Sequence, residues 1–167
     1  MIARLLAPLV LAPLAAFAQA PDLKYGCDTP ESKQLDFWVG DWTVTHSGGK
    51  GVNQISRVLD GCVILETFTG GAGTKLNGIS ISTYDRATKK WKQTWSDNTA
   101  TYMDFEGGIK DGKFMFWREA EDGGKKFQQR MVFQDVTKDR LNWLWQASID
   151  GGKTWKTTWN IVYTRNK

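Results

Sequence analysis

Residues 141–164 read Leu141-Asn142-Trp143-Leu144-Trp145-Gln146-Ala147-Ser148-Ile149-Asp150-Gly151-Gly152-Lys153-Thr154-Trp155-Lys156-Thr157-Thr158-Trp159-Asn160-Ile161-Val162-Tyr163-Thr164. Leu141, Trp143, Trp145 and Ala147 alternate with Arg140, Asn142 and Gln146. A period of two puts the Trp set on one face of a strand and the polar set on the other. Asp150-Gly151-Gly152 is hairpin chemistry, because Gly adopts the left-handed backbone that tight turns require. Beyond it, Trp155, Thr157, Trp159, Ile161 and Tyr163 share one face of a returning strand. The segment therefore predicts two antiparallel strands with an aromatic inner face.

The same pattern recurs through the chain. Segments rich in Val, Ile, Thr, Trp, Tyr and Phe lie at 38–46, 51–59, 63–69, 76–84, 91–97, 101–109, 113–119, 126–135, 140–149 and 154–164. Short Gly/Asp/Asn/Lys clusters separate them, among them Ser47-Gly48-Gly49-Lys50, Asp60-Gly61, Lys110-Asp111-Gly112 and Asp122-Gly123-Gly124. The helical signal is confined to Pro30–Phe37, where Thr29 can cap, Pro30 can take the first position, and Glu31 and Ser32 fall in the first turn. Ten hairpin-linked strands without a long crossover make a meander, and closing the meander removes its exposed edges. The expected fold is all-β: a single up-and-down antiparallel barrel of about ten strands with a short N-terminal helix.

The first twenty residues are of another kind. Arg4 precedes an almost wholly apolar run, Leu5 to Phe17, and Ala18-Gln19-Ala20 is a small-x-small cleavage signal. This is the pattern of a secretory signal peptide, 1–20, and the apolar run is shorter than the roughly 20 residues of a membrane-spanning helix. No Cys follows the apolar run directly, so a lipid anchor is not expected. Residues 21–167 then form one domain, placed in the periplasm or secreted, with no membrane anchor after cleavage. The net charge of +4 falls to +3 as Arg4 leaves. The remaining Lys and Arg are scattered rather than clustered, which argues against a nucleic-acid partner. In an oxidising compartment the two cysteines, Cys27 and Cys62, are expected to pair. One His and two Cys exclude multi-Cys/His zinc sites.

Gly40-Asp41-Trp42 opens the first strand and Tyr163-Thr164-Arg165 ends the last. This resembles the calycin (lipocalin-like) superfamily, in which a G-x-W motif begins strand one and a terminal Arg packs over the Trp at the closed end. Asp36-Phe37-Trp38-Val39-Gly40-Asp41-Trp42, Gly61-Cys62-Val63-Ile64-Leu65-Glu66, and Tyr84-Asp85 with Trp91-Lys92-Gln93-Thr94-Trp95 are similar to a family of secreted bacterial lipocalin-like domains of unknown function, over about residues 35–165. The resemblance implies that Gly40, Trp42 and Arg165 close the barrel. It implies no activity. With Trp42 at the closed end, alternating hairpins bring Cys62, Cys27 and Arg165 to that same end.

Polar residues on apolar faces mark the candidate site. Arg57 shares a face with Ile55 and Leu59, and Glu66 with Ile64 and Phe68; the turn between them predicts that Arg57 approaches Glu66. Charges among apolar neighbours are rarely buried unless paired. Such a pair would either be a surface ion pair or orient a ligand. Gln93, Trp95 and Asp97 share a face with Trp91, and Trp143 and Trp145 belong to the interior of their strand. These seven residues (Arg57, Glu66, Gln93, Trp95, Asp97, Trp143, Trp145) are the expected ligand contacts for a small apolar or aromatic molecule. No cofactor is expected. The one candidate is haem through His46, whose parity with Trp42 and Val44 points it inward near the open end. Ser148-Ile149-Asp150-Gly151-Gly152-Lys153-Thr154-Trp155 matches the Asp-box of sialidases and related propellers, but a single copy in a chain this short reads as a structural turn of Asp150, Gly152 and Trp155. Two further function classes stand beside binding. One is a barrel isomerase, hydrolase or lyase with Glu66 or Asp97 as general base. The other is an inhibitor of a secreted protease acting through the Gly-rich open-end loops. No G-x-S-x-G, Ser/His spacing or P-loop is present.

Overall fold

The computed structural model describes residues 27–167, so the leader expected over 1–20 lies outside the described residues. Ten strands follow in order: β1 Gly40–His46, β2 Gly49–Val58, β3 Val63–Thr69, β4 Asn77–Asp85, β5 Lys90–Asp97, β6 Tyr102–Lys110, β7 Lys113–Asp122, β8 Lys125–Gln134, β9 Arg140–Ser148 and β10 Lys156–Arg165. Each pairs antiparallel with its neighbours in sequence, and β1 pairs with β10, which closes the barrel. The expected N-terminal helix is two 3-10 turns, Glu31–Lys33 and Asp36–Trp38. Thr29 Oγ1 accepts the Ser32 amide at 3.3 Å, but Pro30, not Thr29, holds the cap position, without a side-chain cap bond, and the chain turns again at Leu35.

These turns plug one end. Leu35 and Trp38 are buried, and Phe37 and Trp38 meet Phe133 edge-on at 5.4 and 5.3 Å. Arg165 lies opposite Trp42 in the β1–β10 register, and its guanidinium sits 4.0 Å above the Trp42 ring. It also donates to the carbonyls of Val39, Phe37 and Lys138, tying the plug to the last closed-end turn. Gly40 is required here: its φ is +138°, and a Cβ would fall inside the Arg165 guanidinium. The Cys27–Cys62 disulfide, with a Cα–Cα distance of 4.8 Å, fastens the plug to the β2–β3 turn.

Two interruptions shape the opposite, open end. β6 and β7 pair only from Glu106↔Trp117 to Lys110↔Lys113, so, among the described residues, 102–105 of β6 pair with β5 alone, while the β7–β8 hairpin continues to Asp122↔Lys125. In β10 the register slips between Thr157 and Trp159. That bulge overturns the expected common face for Trp155, Thr157 and Trp159. Thr157 pairs with Gln146 on the outside, whereas Trp159, Ile161 and Tyr163 point inward. An extra residue in one strand reverses side-chain parity beyond it.

Candidate functional site: an aromatic cavity above a buried carboxylate

The inner faces of the strands enclose a cavity of about 360 Å³ near the open end. Its wall is a belt of rings. Trp143 and Trp145, two apart on β9, stack with planes 5° apart. Trp159 meets Trp143 edge-on at 5.9 Å, Phe68 meets Trp159 at 6.0 Å, and Trp95 meets Phe68 at 6.1 Å. The four Trp are only half-buried. Gly78 on β4 leaves room for the Trp95 indole, which a Cβ there would strike.

Below the belt lies a polar network. Glu66 is 6% exposed. β3 and β4 place Ser80 directly across from it, and Ser80 Oγ donates to Glu66 Oε2 at 2.5 Å. Asn53, diagonal to Glu66 across β2–β3, donates from Nδ2 to Glu66 Oε1 at 2.7 Å and to the Tyr163 hydroxyl at 2.9 Å. Gln93 Nε2 donates to the Ser80 and Ser82 hydroxyls. Burial raises the Glu66 carboxyl to about 7, against the lowering effect of its bonds from Ser80 and Asn53. Burial, and then the Glu66 charge, push the Tyr163 hydroxyl well above its ordinary value.

Asp97 lines the cavity higher up. Burial works to raise it, but the Thr99 hydroxyl and amide, the Trp95 indole N–H and the Thr101 amide together outweigh burial and hold it at about 2. Glu66, Trp95, Asp97, Trp143 and Trp145 therefore lie around one cavity, and Gln93 joins the network beneath it. Period-two reading did not single out Phe68, Leu76, Met103, Gln129, Met131 or Tyr163 as contacts. Phe68, Met103, Met131 and Tyr163 were identifiable by strand parity, but their depth depends on barrel tilt.

Arg57 departs from expectation. It faces inward one pair below Ile55, at the closed end, and does not reach Glu66. It ion-pairs with Asp36 (Nε to Oδ1 2.7 Å) and donates to the carbonyls of Ser32 and Gly61. It holds the plug and does not line the cavity. His46 does not fit a haem ligand. Its Nδ1 accepts the Gly48 amide at 3.1 Å and its Nε2 bonds the Gly70 carbonyl at 3.0 Å, so both nitrogens are occupied in tying the loops at 47–48 and 70–76 together. The Asp150 turn is built as its pattern demands. Asp150 accepts from the Ser148 hydroxyl and from the Thr154 amide and hydroxyl, Gly152 has φ +85°, and Trp155 covers the turn with Arg130 stacked 3.9 Å above it. Among the described residues, no group of three or more His, Cys, Asp or Glu could hold a metal ion.

No family model matches the chain, and no curated protein is significantly similar to it in sequence.

Proposed function

We propose that the mature chain is an exported, calycin-like binding protein that holds a small, largely apolar or aromatic molecule inside the barrel. The observation that carries this reading is a ring of four half-buried Trp around a cavity with a hydrogen-bonded carboxylate at its base. Rings left partly bare inside a barrel favour a flat apolar guest, and a few convergent polar groups would orient it. The Cys27–Cys62 bridge agrees with export, and the intact mass of the exported chain tests the expected cleavage after Ala20. The binding test is quenching of Trp emission by a panel of small aromatic and aliphatic compounds. Quenching that saturates, and that is lost when Ile161→Trp fills the cavity, is expected. No quenching by any member of the panel overturns the reading.

A second reading is favoured by one observation. A carboxyl held near 7 beside a cavity is poised as a general base. A bound compound that the protein converts, with Glu66→Gln abolishing conversion but not binding, would establish catalysis.

A further inference from the structure

We infer that the cavity is built for an organic cation: an amine on an aromatic or short alkyl body, its ammonium seated toward Glu66 and its body among the Trp faces. This inference rests on the binding reading above and names the chemistry of the guest.

Three independent features point to it. The first is the sign of the charge. Two carboxylates, Glu66 and Asp97, line the cavity, and among the described residues no Lys, Arg or His does. An anionic guest would meet repulsion from both. The second is the wall. Indole faces carry negative quadrupole potential, and a desolvated ammonium over a Trp face is attracted to it more strongly than an exposed one. The stacked Trp143–Trp145 pair, Trp159 and Trp95 offer such faces from β9, β10 and β5. The third is the balance of donors and acceptors. An ionised carboxylate has about four acceptor sites. Glu66 receives one bond from Asn53 and one from Ser80. Asn53 is fully buried, both its contacts leave from Nδ2, and its Oδ1 has no partner among the described residues. Glu66 and Asn53 Oδ1 thus keep open acceptor sites, beside one unpartnered buried donor, the Trp38 indole N–H next to Tyr163. A primary ammonium brings three donors and no acceptor.

An uncharged apolar guest would leave the carboxylate buried without a countercharge, which favours its protonation. An ammonium supplies that countercharge inside a site of low polarity, where the attraction is weakly screened. The groups facing Glu66 are Asn53 from β2, Ser80 from β4, Gln93 from β5 and Tyr163 from β10. On β1 the neutral Trp42 and Val44 are buried, and His46 packs on Trp159 with both nitrogens bonded. On β7, Arg118 reaches the Phe105 ring at 5.8 Å. Tyr163 remains neutral and Asp97 ionised around neutral pH, so among the described wall residues Glu66 is the one that titrates there.

The test is isothermal titration with three probes of one shape: phenethylamine, phenethyl alcohol and phenylacetate. The amine is expected to bind about tenfold or more tighter than the alcohol at a pH of about 8, with the acid weakest, as a charge-assisted contact predicts. Amine affinity should rise as pH increases through about 7, where Glu66 ionises, while the alcohol shows no such rise. Glu66→Gln should bring the amine down to the affinity of the alcohol. Should Glu66→Gln not fold, the pH series on the wild-type chain decides alone. Equal binding of amine and alcohol, or preference for the acid, overturns the cation assignment and leaves the binding reading standing. Absence of binding by all three, together with no quenching across the wider panel, overturns both.

Discussion

At the scale of single residues, Glu66 carries a cost that pH can read. Its carboxyl sits at about 7 in the barrel against an ordinary value of 4.5. Below about 4.5 folded and unfolded chains are both protonated there, and the site costs nothing. Between 4.5 and 7 the unfolded chain releases the proton and the folded chain keeps it, so stability falls as pH rises. Above that window the loss is complete, on the order of 3 kcal/mol. Urea denaturation of wild type and Glu66→Gln across this range is expected to show the wild type losing stability relative to the variant. Parallel curves would mean that Glu66 is not buried as described. Trp42→Ala is expected to cost about 3–5 kcal/mol as a large core truncation, read by the same method. Glu66 was legible in the sequence because a charge on an apolar strand face stands out. Its partners were less so. The partner expected for it, Arg57, belongs to Asp36, and that contact depends on where a 3-10 plug folds back, which no periodicity encodes.

At the scale of elements, strand existence was legible almost throughout, because alternation and Gly-rich turns are local signals. The register slip in β10 was not. Nothing in Thr157-Thr158-Trp159 announces an extra residue, and one such residue moves Trp155 from the expected interior to the outside. The β6–β7 seam was equally hidden, since pairing between strands depends on tilt rather than on either strand's own pattern. It has a measurable consequence. Amides in residues 102–105 and 118–121 that face across the open part of the seam lack ladder partners there. They are expected to exchange with deuterium well ahead of the continuously paired β4–β5 ladder between Gly78 and Asp85. Equal protection in the two regions would mean that the seam is closed in solution.

At the scale of the whole molecule, the barrel separates the contacts that close it from the proposed binding cavity. The closed end carries the plug, the Trp42–Arg165 stack, the Arg57–Asp36 pair and the disulfide. The open end carries the aromatic belt, with Glu66 between them. The bridge spans 35 residues of sequence, and loop closure of that length stabilises by about 4 kcal/mol. Removing it with Cys27→Ala and Cys62→Ala together should lower unfolding free energy by about that amount. The Ser32, Leu35 and Arg57 contacts would still seat the plug, because they do not depend on the sulfurs. Under conditions where the double variant remains folded, Trp quenching by aromatic probes should match wild type, since neither cysteine reaches the cavity wall. Unchanged stability would remove the bridge from the account of the fold. Lost quenching in a folded variant would show that the plug shapes the cavity from below, and that the two ends of the barrel are coupled.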